Sequence, residues 1–302
     1  MISRRELLTG AGALLAGSRL QAFKSRITKA HISAITDEIG KTQSEAIAFA
    51  HQYGLQWVEL RNVPETKKEF AFLTEPELKR WSAELAANKL KVSFLNTSLL
   101  KFTWPGTASK APPSEAEQKR WENRKQDVAS ALLAANVLGV DKVRVFTGTR
   151  VEHPETTHPL IVKTMEELIP MAEKAKVRLV IENEYSQNVG TSAESKTIME
   201  LLPSKWIGLN WDPENSYHLH ETPWPDGYAQ APKARMLNVQ FKARSVLDGS
   251  PDKFDWKSIL EALQKDGYQG QIGLETHTPG NALIENAHKS METMLHMVGE
   301  LA

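Results

Sequence analysis

Cysteine is absent from this 302-residue chain. Without it the protein has no disulfide, no thiolate metal ligand and no cysteine nucleophile, so any metal site must use oxygen and nitrogen ligands. Neither sign of charge is in excess, because 37 Lys and Arg balance 37 Asp and Glu, and no long basic or acidic run occurs. The sequence therefore favours neither nucleic acid nor an anionic membrane surface as a partner.

Long apolar runs are also missing. The segment that comes nearest to a membrane span lies at the N-terminus. The residues SRRELL at 3–8 precede a Gly/Ala/Leu run that ends near Gly17. This run has about 11 residues, whereas a membrane span needs about 20. An arginine pair before a short apolar run is typical of a twin-arginine export signal. We therefore expect residues 1–22 to be a signal segment, with no stable membrane insertion and a periplasmic location for the working protein.

From Ala30 onward, short β-like runs alternate with longer amphipathic helical segments, which is typical of a parallel sheet wrapped by helices. The predicted strands are residues 31–37, 57–60, 92–96, 142–148, 178–182, 207–212, 236–241 and 271–275. Eight such units predict an α/β fold, a (β/α)8 TIM barrel that forms a single domain over residues 30–302. The alternative, an open doubly wound sheet, would need a glycine-rich phosphate loop after the first strand, where ITDEIGKTQ offers a single glycine.

Three of the predicted strand-to-helix loops are long: residues 97–113, 213–225 and 242–253. In a (β/α)8 barrel such loops surround the C-terminal mouth, where ligands bind. We therefore expect these three loops to cover the mouth and to select the substrate. Trp104 and Trp224 in the first two loops could stack on a sugar ring, although anchoring of the loop is the commoner role of such residues.

Four successive predicted strands end in an oxygen-bearing side chain: Glu182, Asp212, Gln240 and Glu275. Taken singly, each could be a salt-bridge partner or a turn former. Together, at the ends of strands five to eight, they would converge on one side of the barrel mouth, where three carboxylates repel unless a cation neutralises them. Their oxygens suit one hard divalent ion, Mn²⁺ or Mg²⁺, with Co²⁺ as a further candidate. Gln240 is the weakest of the four ligands, since an amide could instead orient substrate.

The runs IEN, NWDPEN, NVQFKA and GLETH, which contain these four residues, resemble the xylose isomerase-like TIM barrel superfamily from about Ile32 to the C-terminus. This superfamily includes sugar-phosphate isomerases and epimerases, ketose 3-epimerases, hydroxypyruvate isomerases and inosose dehydratases. Many members carry His on the seventh strand, whereas Gln240 resembles the hydroxypyruvate isomerase-like branch. The resemblance implies a small carbohydrate substrate, although no Arg/Lys cluster predicts that it is phosphorylated.

The resemblance also implies a mechanism. The metal ion chelates the carbonyl and a neighbouring hydroxyl of the substrate and stabilises an enediolate, while Glu182 and Glu275 remove and return a proton. The leading expectation is therefore a metal-dependent isomerase or epimerase of a free sugar or keto-sugar. The same ion and base would serve a lyase or dehydratase of a keto-sugar or keto-glycoside. A non-catalytic sugar-binding barrel is the alternative from another class.

Other residues near the predicted strand ends are candidates for substrate contacts. Lys242 follows Gln240 by two residues and so shares its face of the strand, although a surface lysine is an equal alternative. The resemblance places a His three residues after the sixth-strand Asp in epimerase members; this chain has Asn215 there, and His218 is the nearby candidate, with an exposed loop histidine as the commoner reading. The ends of strands one and two add Glu38, Glu59 and Arg61.

Two further questions are raised by the same barrel. A DNA-repair nuclease of this superfamily would need a histidine-rich trinuclear cluster and a basic groove, but only His277 stands beside a predicted strand end. The sequence therefore disfavours a DNA-repair nuclease.

Whether the chain forms a homo-oligomer stays open from the sequence.

Overall fold

The computed structural model describes residues 26–247, 254–278 and 280–301. The predicted signal segment at residues 1–22 lies outside these ranges, as do residues 248–253 of the third long loop. None of the helices in the described part of the chain combines the length and the apolar character needed to cross a membrane.

Eight parallel strands form one sheet in the order β1-β8-β7-β6-β5-β4-β3-β2. Their bounds are β1 Ile32–Ala34, β2 Trp57–Leu60, β3 Lys91–Leu95, β4 Lys142–Val145, β5 Arg178–Glu182, β6 Ile207–Trp211, β7 Met236–Lys242 and β8 Gln271–Glu275. A single parallel bridge from Ile35 to Glu59 connects the two outer strands, β1 and β2. The sheet is therefore a nearly closed barrel, and the predicted (β/α)8 fold is confirmed.

Helices connect the strands on the outside of the barrel. Their bounds are α1 Thr36–Ile39, α2 Gln43–Gln52, α3 Glu75–Ala87, α4 Glu115–Leu138, α5 His158–Ala175, α6 Ser192–Leu201, α7 Pro213–Tyr217, α8 Tyr228–Gln230, α9 Trp256–Lys265 and α10 Leu283–Gly299. A π-helical turn, Pro223–Gly227, precedes α8. Short 3₁₀ turns are Lys29–His31, Phe70–Phe72, Pro154–Thr157, Lys233–Arg235, Ala243–Ser245 and Gly280–Ala282.

Two strands end three residues earlier than the sequence predicted, and both end where the backbone turns into the mouth. The first predicted strand, 31–37, stops at Ala34 because the chain enters helix α1, with the Glu38 amide donating to the Ile35 carbonyl at 3.0 Å. The fourth, 142–148, stops at Val145 because Phe146 donates its amide to the loop after β3 and Gly148 takes a left-handed φ of 79°.

The side chains of β4 alternate between the outside and the inside of the barrel. Val143 and Val145 are fully buried in the hydrophobic core that includes the surrounding helices. The alternate residues, Lys142 and Arg144, face the barrel interior, where Lys142 Nζ reaches Gln271 Oε1 on β8 at 2.9 Å. The strand therefore supplies apolar packing outside the sheet and charge inside it.

A fully buried carboxylate, Glu59, occupies the centre of the barrel interior. Its two oxygens accept hydrogen bonds from Ser33 Oγ at 2.8 Å, Asn96 Nδ2 at 2.7 Å, Gln240 Nε2 at 3.1 Å and Asn238 Nδ2 at 3.3 Å. Burial raises the pKa of Glu59, and the four donors oppose that rise. Gly273 makes room for this carboxylate, since a Cβ there would lie 1.9 Å from Glu59 Oε1. The polar interior thus forms a floor beneath the barrel mouth.

Candidate active site

A cavity of about 520 Å³ opens at the C-terminal ends of the strands. Its walls include residues of all three long loops: Lys101 from the first, His218 from the second and Arg244 from the third. Glu182 and Glu275 lie at its base. The loops therefore lie around the mouth, where ligands of (β/α)8 barrels bind.

Three of the four predicted metal ligands lie close together, and two of them, Glu182 and Glu275, line this cavity. Glu182, Asp212 and Glu275 each place one carboxylate oxygen within 4.8 Å of the other two, and we call these residues the acid cluster. None of the three is more than 4% exposed. Carboxylates this close and this buried require neutralising positive charge.

Asn183 fixes the position of Asp212 relative to Glu182. It follows Glu182 directly, and its side chain donates from Nδ2 to the Asp212 carbonyl at 2.7 Å and accepts from the Asp212 amide at 2.8 Å. The Asn183 carbonyl accepts in turn from Asn215 Nδ2 at 2.9 Å. Since these bonds join the ends of β5 and β6, two acids that are distant in sequence are held side by side.

Arg144 supplies one of the neutralising charges. Its Nη1 donates to Glu182 Oε2 at 2.9 Å, and both side chains are almost fully buried. Asn210 Nδ2 donates to the same oxygen at 2.6 Å. Sequence reasoning missed Arg144, although a cation between valines in KVRVF is a usable signal, because a charge that faces a barrel interior needs a partner.

Lys242 supplies the second charge. Its Nζ lies 2.7 Å from Asp212 Oδ2 and 3.9 Å from Glu275 Oε2, and it donates to Asn215 Oδ1 at 3.2 Å. Burial lowers the pKa of Lys242, but the nearby carboxylates outweigh burial and raise it well above its usual value. Lys242 is therefore buried and positively charged, and it lies among the acids rather than on the surface.

Glu275 is kept ionised by several cations. Burial alone would raise its pKa, but Lys242, Arg144 and Arg61 together lower the pKa of Glu275 to about 2. Arg61 Nη1 approaches Glu275 Oε1 at 3.4 Å, and His277 Nδ1 lies 3.7 Å from the same oxygen. The carboxylate is thus in the charged form that either a metal ligand or a proton acceptor requires.

The acid cluster has the donor atoms that a divalent ion needs, whereas Gln240 does not line the cavity. Among the described residues, no hydrogen-bond donor reaches the buried atoms Gln240 Oε1 and Glu275 Oε2. The Gln240 amide group is oriented by its Nε2, which donates to Glu59 Oε2 at 3.1 Å. Three converging carboxylates, with Glu275 Oε2 free of a hydrogen bond, form a set of oxygens that hard divalent ions prefer. The residues present therefore fit a divalent metal.

The remaining predicted contacts are divided between two openings. His218 lines the main cavity with its Nε2 3.7 Å from Glu214 Oε1. Arg61 lines both the main cavity and an adjoining opening, and its Nη2 pairs with Glu38 Oε1 at 2.8 Å. Glu38 lines only the adjoining opening. Its charge is already matched by Arg61, so Glu38 supports the rim rather than the base of the site.

Three residues considered from sequence lie away from the cavity. Glu59 is fully buried in the barrel interior, as described above. Trp104 is 1% exposed and donates from Nε1 to the Leu100 carbonyl at 3.0 Å, so it anchors its own loop. Trp224 packs against Tyr228 with ring centroids 5.6 Å apart. Neither tryptophan lines the cavity.

Fold and site together define a (β/α)8 barrel in which three acids converge at the C-terminal ends of β5, β6 and β8. The model of the xylose isomerase-like TIM barrel family matches residues 47–296. The chain therefore belongs to this family, and the resemblance seen in the sequence is confirmed. No curated protein matches the sequence.

Solved structures extend the comparison at the level of fold. The chain is similar to the IOLI protein with a bound zinc atom, with a TM-score of 0.67, 15% identity, and coverage of 90% of this chain and 99% of that one. It is also similar to 3-keto-D-glucoside 4-epimerase YcjR from E. coli in its apo form, with a TM-score of 0.64, 14% identity, and coverage of 88% and 98%. The probable 3-DHS dehydratase AsbF from Bacillus anthracis gives a TM-score of 0.65, 12% identity, and coverage of 87% and 98%.

Proposed function

We propose that this protein is a divalent-metal-dependent isomerase or epimerase that acts on a sugar or keto-sugar. The observation that carries the proposal is the convergence of Glu182, Asp212 and Glu275 within 4.8 Å of one another, with Glu182 and Glu275 lining an open cavity. Family membership and the sugar epimerase among the similar structures support it. Export to the periplasm, inferred from residues 3–17, remains part of the same proposal.

The ion would be held by the acid cluster together with Gln240. When bound, it would supply Lewis-acid polarisation of the substrate carbonyl. Mn²⁺ and Mg²⁺ suit this set of oxygen ligands best. Lys242 Nζ, which now pairs with Asp212, lies close enough to hydrogen-bond a substrate oxygen at the same place.

Glu182 and Glu275 are the two proposed proton carriers. They end β5 and β8, which are separated by two strands, so they approach the substrate from different positions around the mouth. Arg144 and Asn210 both donate to Glu182 Oε2, which leaves Oε1 to accept a proton from the carbon next to the carbonyl. If one glutamate removes the proton and the other returns it, the configuration at that carbon is inverted or the proton is added at a neighbouring carbon.

A lyase or dehydratase is the second candidate, and His218 favours it. Its Nε2 lies 3.7 Å from Glu214 Oε1 beside the cavity, and an imidazole is a common proton donor in catalysis. Such a group could give a proton to a departing hydroxyl or aglycone after a glutamate has removed the adjacent carbon-bound proton. The dehydratase among the similar structures is consistent with this chemistry.

One screen separates these functions. Free keto- and aldo-sugars and 3-keto-glycosides are incubated with the protein and Mn²⁺ in D₂O, and the products are analysed by mass and NMR. The proposal predicts solvent deuterium at the carbon next to the carbonyl in an isomeric product. Loss of water or of an aglycone would instead show the lyase, and sugar binding without deuterium uptake would show a non-catalytic barrel.

Glu59→Gln should weaken divalent-ion binding without any contact between residue 59 and the ion. The substitution keeps the side-chain shape but replaces one acceptor oxygen by a donor, so the hydrogen bond that orients Gln240 loses its fixed partner. Loss of a group that orients a metal ligand costs about 10- to 100-fold in metal affinity. Calorimetric titration with Mn²⁺ measures this change.

Ser33→Ala is the matched control for Glu59→Gln. It removes a hydrogen bond to the same carboxylate, at Oε1, and leaves the Gln240 contact at Oε2 intact. We expect Mn²⁺ affinity close to that of the unmodified protein. Equal weakening in both variants would mean that Glu59 acts through general stability and not through Gln240.

A further inference from the structure

Exposed aromatic rings form a row that leads out of the cavity. Tyr185, on the loop after β5, is 49% exposed, and Tyr217, at the end of α7, is 38% exposed. His218 lies between them, with ring centroids 5.2 Å from Tyr185 and 6.3 Å from Tyr217, and both contacts are edge-on. We call Tyr185, His218 and Tyr217 the aromatic row.

The aromatic row joins two recesses. Tyr185 and His218 line the main cavity above the acid cluster, whereas Tyr217 and His218 line a neighbouring recess of about 470 Å³. His218 is therefore the wall that the two recesses share. A ligand with its reacting ring in the main cavity could extend past His218 and lie along the row.

Both tyrosines stay exposed, although Tyr217 also packs against Phe254 with ring centroids 5.2 Å apart. The exposed large hydrophobic side chains among the described residues are Phe72, Leu133, Tyr185, Leu201 and Tyr217, and only the two tyrosines line one of these recesses. Exposed apolar surface beside a cavity is typical of a ligand contact. Tyrosine suits this role because its flat face is apolar and its hydroxyl can hydrogen-bond.

We propose that the aromatic row is a subsite for the group on the far side of a glycosidic bond, so that the substrate is a glycoside rather than a free monosaccharide. This inference rests on the proposed function, which places the reacting sugar ring in the main cavity. The shared chemistry of the bound group is a flat face that stacks on aromatic rings. Both a second pyranose and an aryl aglycone have such a face.

A glycoside substrate also restricts where the carbonyl can be. A glycosidic bond blocks the anomeric carbon, so the ring cannot open to an aldehyde or open-chain ketone. Proton transfer next to a carbonyl then requires a ketone on the ring itself. The reaction that supplies the substrate must be the oxidation of a ring hydroxyl by a dehydrogenase or oxidase, which passes the two electrons to its own acceptor.

Direct binding measurements test the subsite. D-glucose, D-galactose and D-xylose are each compared by calorimetry, in the presence of Mn²⁺, with their phenyl β-pyranosides and with cellobiose, lactose and xylobiose. For at least one configuration we expect the phenyl glycoside or the disaccharide to bind about tenfold more tightly than the free sugar, since the added group would contact aromatic rings that the free sugar does not reach. A preference for the phenyl glycoside indicates an aryl aglycone, and a preference for the disaccharide indicates a second sugar.

Substitutions in the aromatic row test whether it causes the preference for glycosides. Tyr217→Ala, at a ring that lines the neighbouring recess and not the main cavity, should remove the preference for the glycoside and leave the affinity for the free sugar unchanged. Tyr185→Ala should reduce the same preference. Leu201→Ala, at a side chain that is 48% exposed at the end of α6, is the control and should keep the preference. Equal affinity for free sugars and glycosides, or no binding of any probe, would overturn the subsite. Absence of deuterium exchange with preserved glycoside preference would overturn only the proposed function.

Discussion

Glu182→Gln and Glu275→Gln should each reduce deuterium exchange into the substrate by about 10³-fold, within the range that a positioned general base contributes. An amide keeps the size of the side chain but cannot accept a proton from carbon. In Glu182→Gln the new amide oxygen can still accept from Arg144, so the variant keeps part of the present hydrogen bonding. The rate is measured per folded chain, with folding followed by circular dichroism and urea unfolding.

Glu167→Gln is the matched control for this experiment. Glu167 is also paired with an arginine, at 2.7 Å from Arg124 Nη2, but it lies on helix α5 outside the mouth. We expect it to exchange deuterium at the unmodified rate. Full activity in either Glu182→Gln or Glu275→Gln would exclude a two-glutamate proton transfer.

Arg144→Met should lower the free energy of unfolding of the metal-free protein by about 3–5 kcal/mol, the usual cost of leaving a buried charge without its partner. Arg144 and Glu182 are 7% and 2% exposed, so water cannot replace the lost guanidinium. Methionine fills similar space without charge. Urea unfolding in the presence of a chelator measures the change.

Two further variants isolate the ion pair. In Arg144→Met/Glu182→Gln the unpaired charge is gone, so much of the lost stability should return. Arg124→Met breaks the more exposed pair with Glu167 and should cost about 1 kcal/mol or less. A loss in Arg144→Met no larger than in Arg124→Met would show that the mouth tolerates an unpaired Glu182.

Local patterns in the sequence were sufficient for the barrel and for the placement of its acids. Each strand can be recognised from its own short run of residues, without knowledge of its neighbours. The carboxyl ends of parallel strands must then share one edge of the sheet. The convergence of Glu182, Asp212 and Glu275 follows from those two facts alone. Two strand ends were predicted three residues too late: β1 stops at Ala34 because the chain turns directly into helix α1, and β4 stops at Val145 because the Phe146 amide bonds to the loop after β3.

Side-chain partners on different strands could not be predicted in the same way. Arg144 with Glu182, Lys242 with Asp212, and Gln240 with Glu59 are pairs whose members are far apart in the sequence. Such pairs depend on the stagger between strands and on which side chains fill the interior. The sequence likewise offered Glu59 as a substrate contact, but its four donors place it below the mouth.

The most direct test of a divalent site at the acid cluster is a calorimetric titration of Mn²⁺ into metal-free protein, carried out in parallel with Asp212→Asn and Glu167→Gln. We predict one ion per chain for the unmodified protein and for Glu167→Gln, and binding weakened by at least about 100-fold for Asp212→Asn, because one of only three carboxylate ligands loses its charge. No binding to the unmodified protein, or equal binding to Asp212→Asn, would contradict a metal site formed by Glu182, Asp212, Gln240 and Glu275.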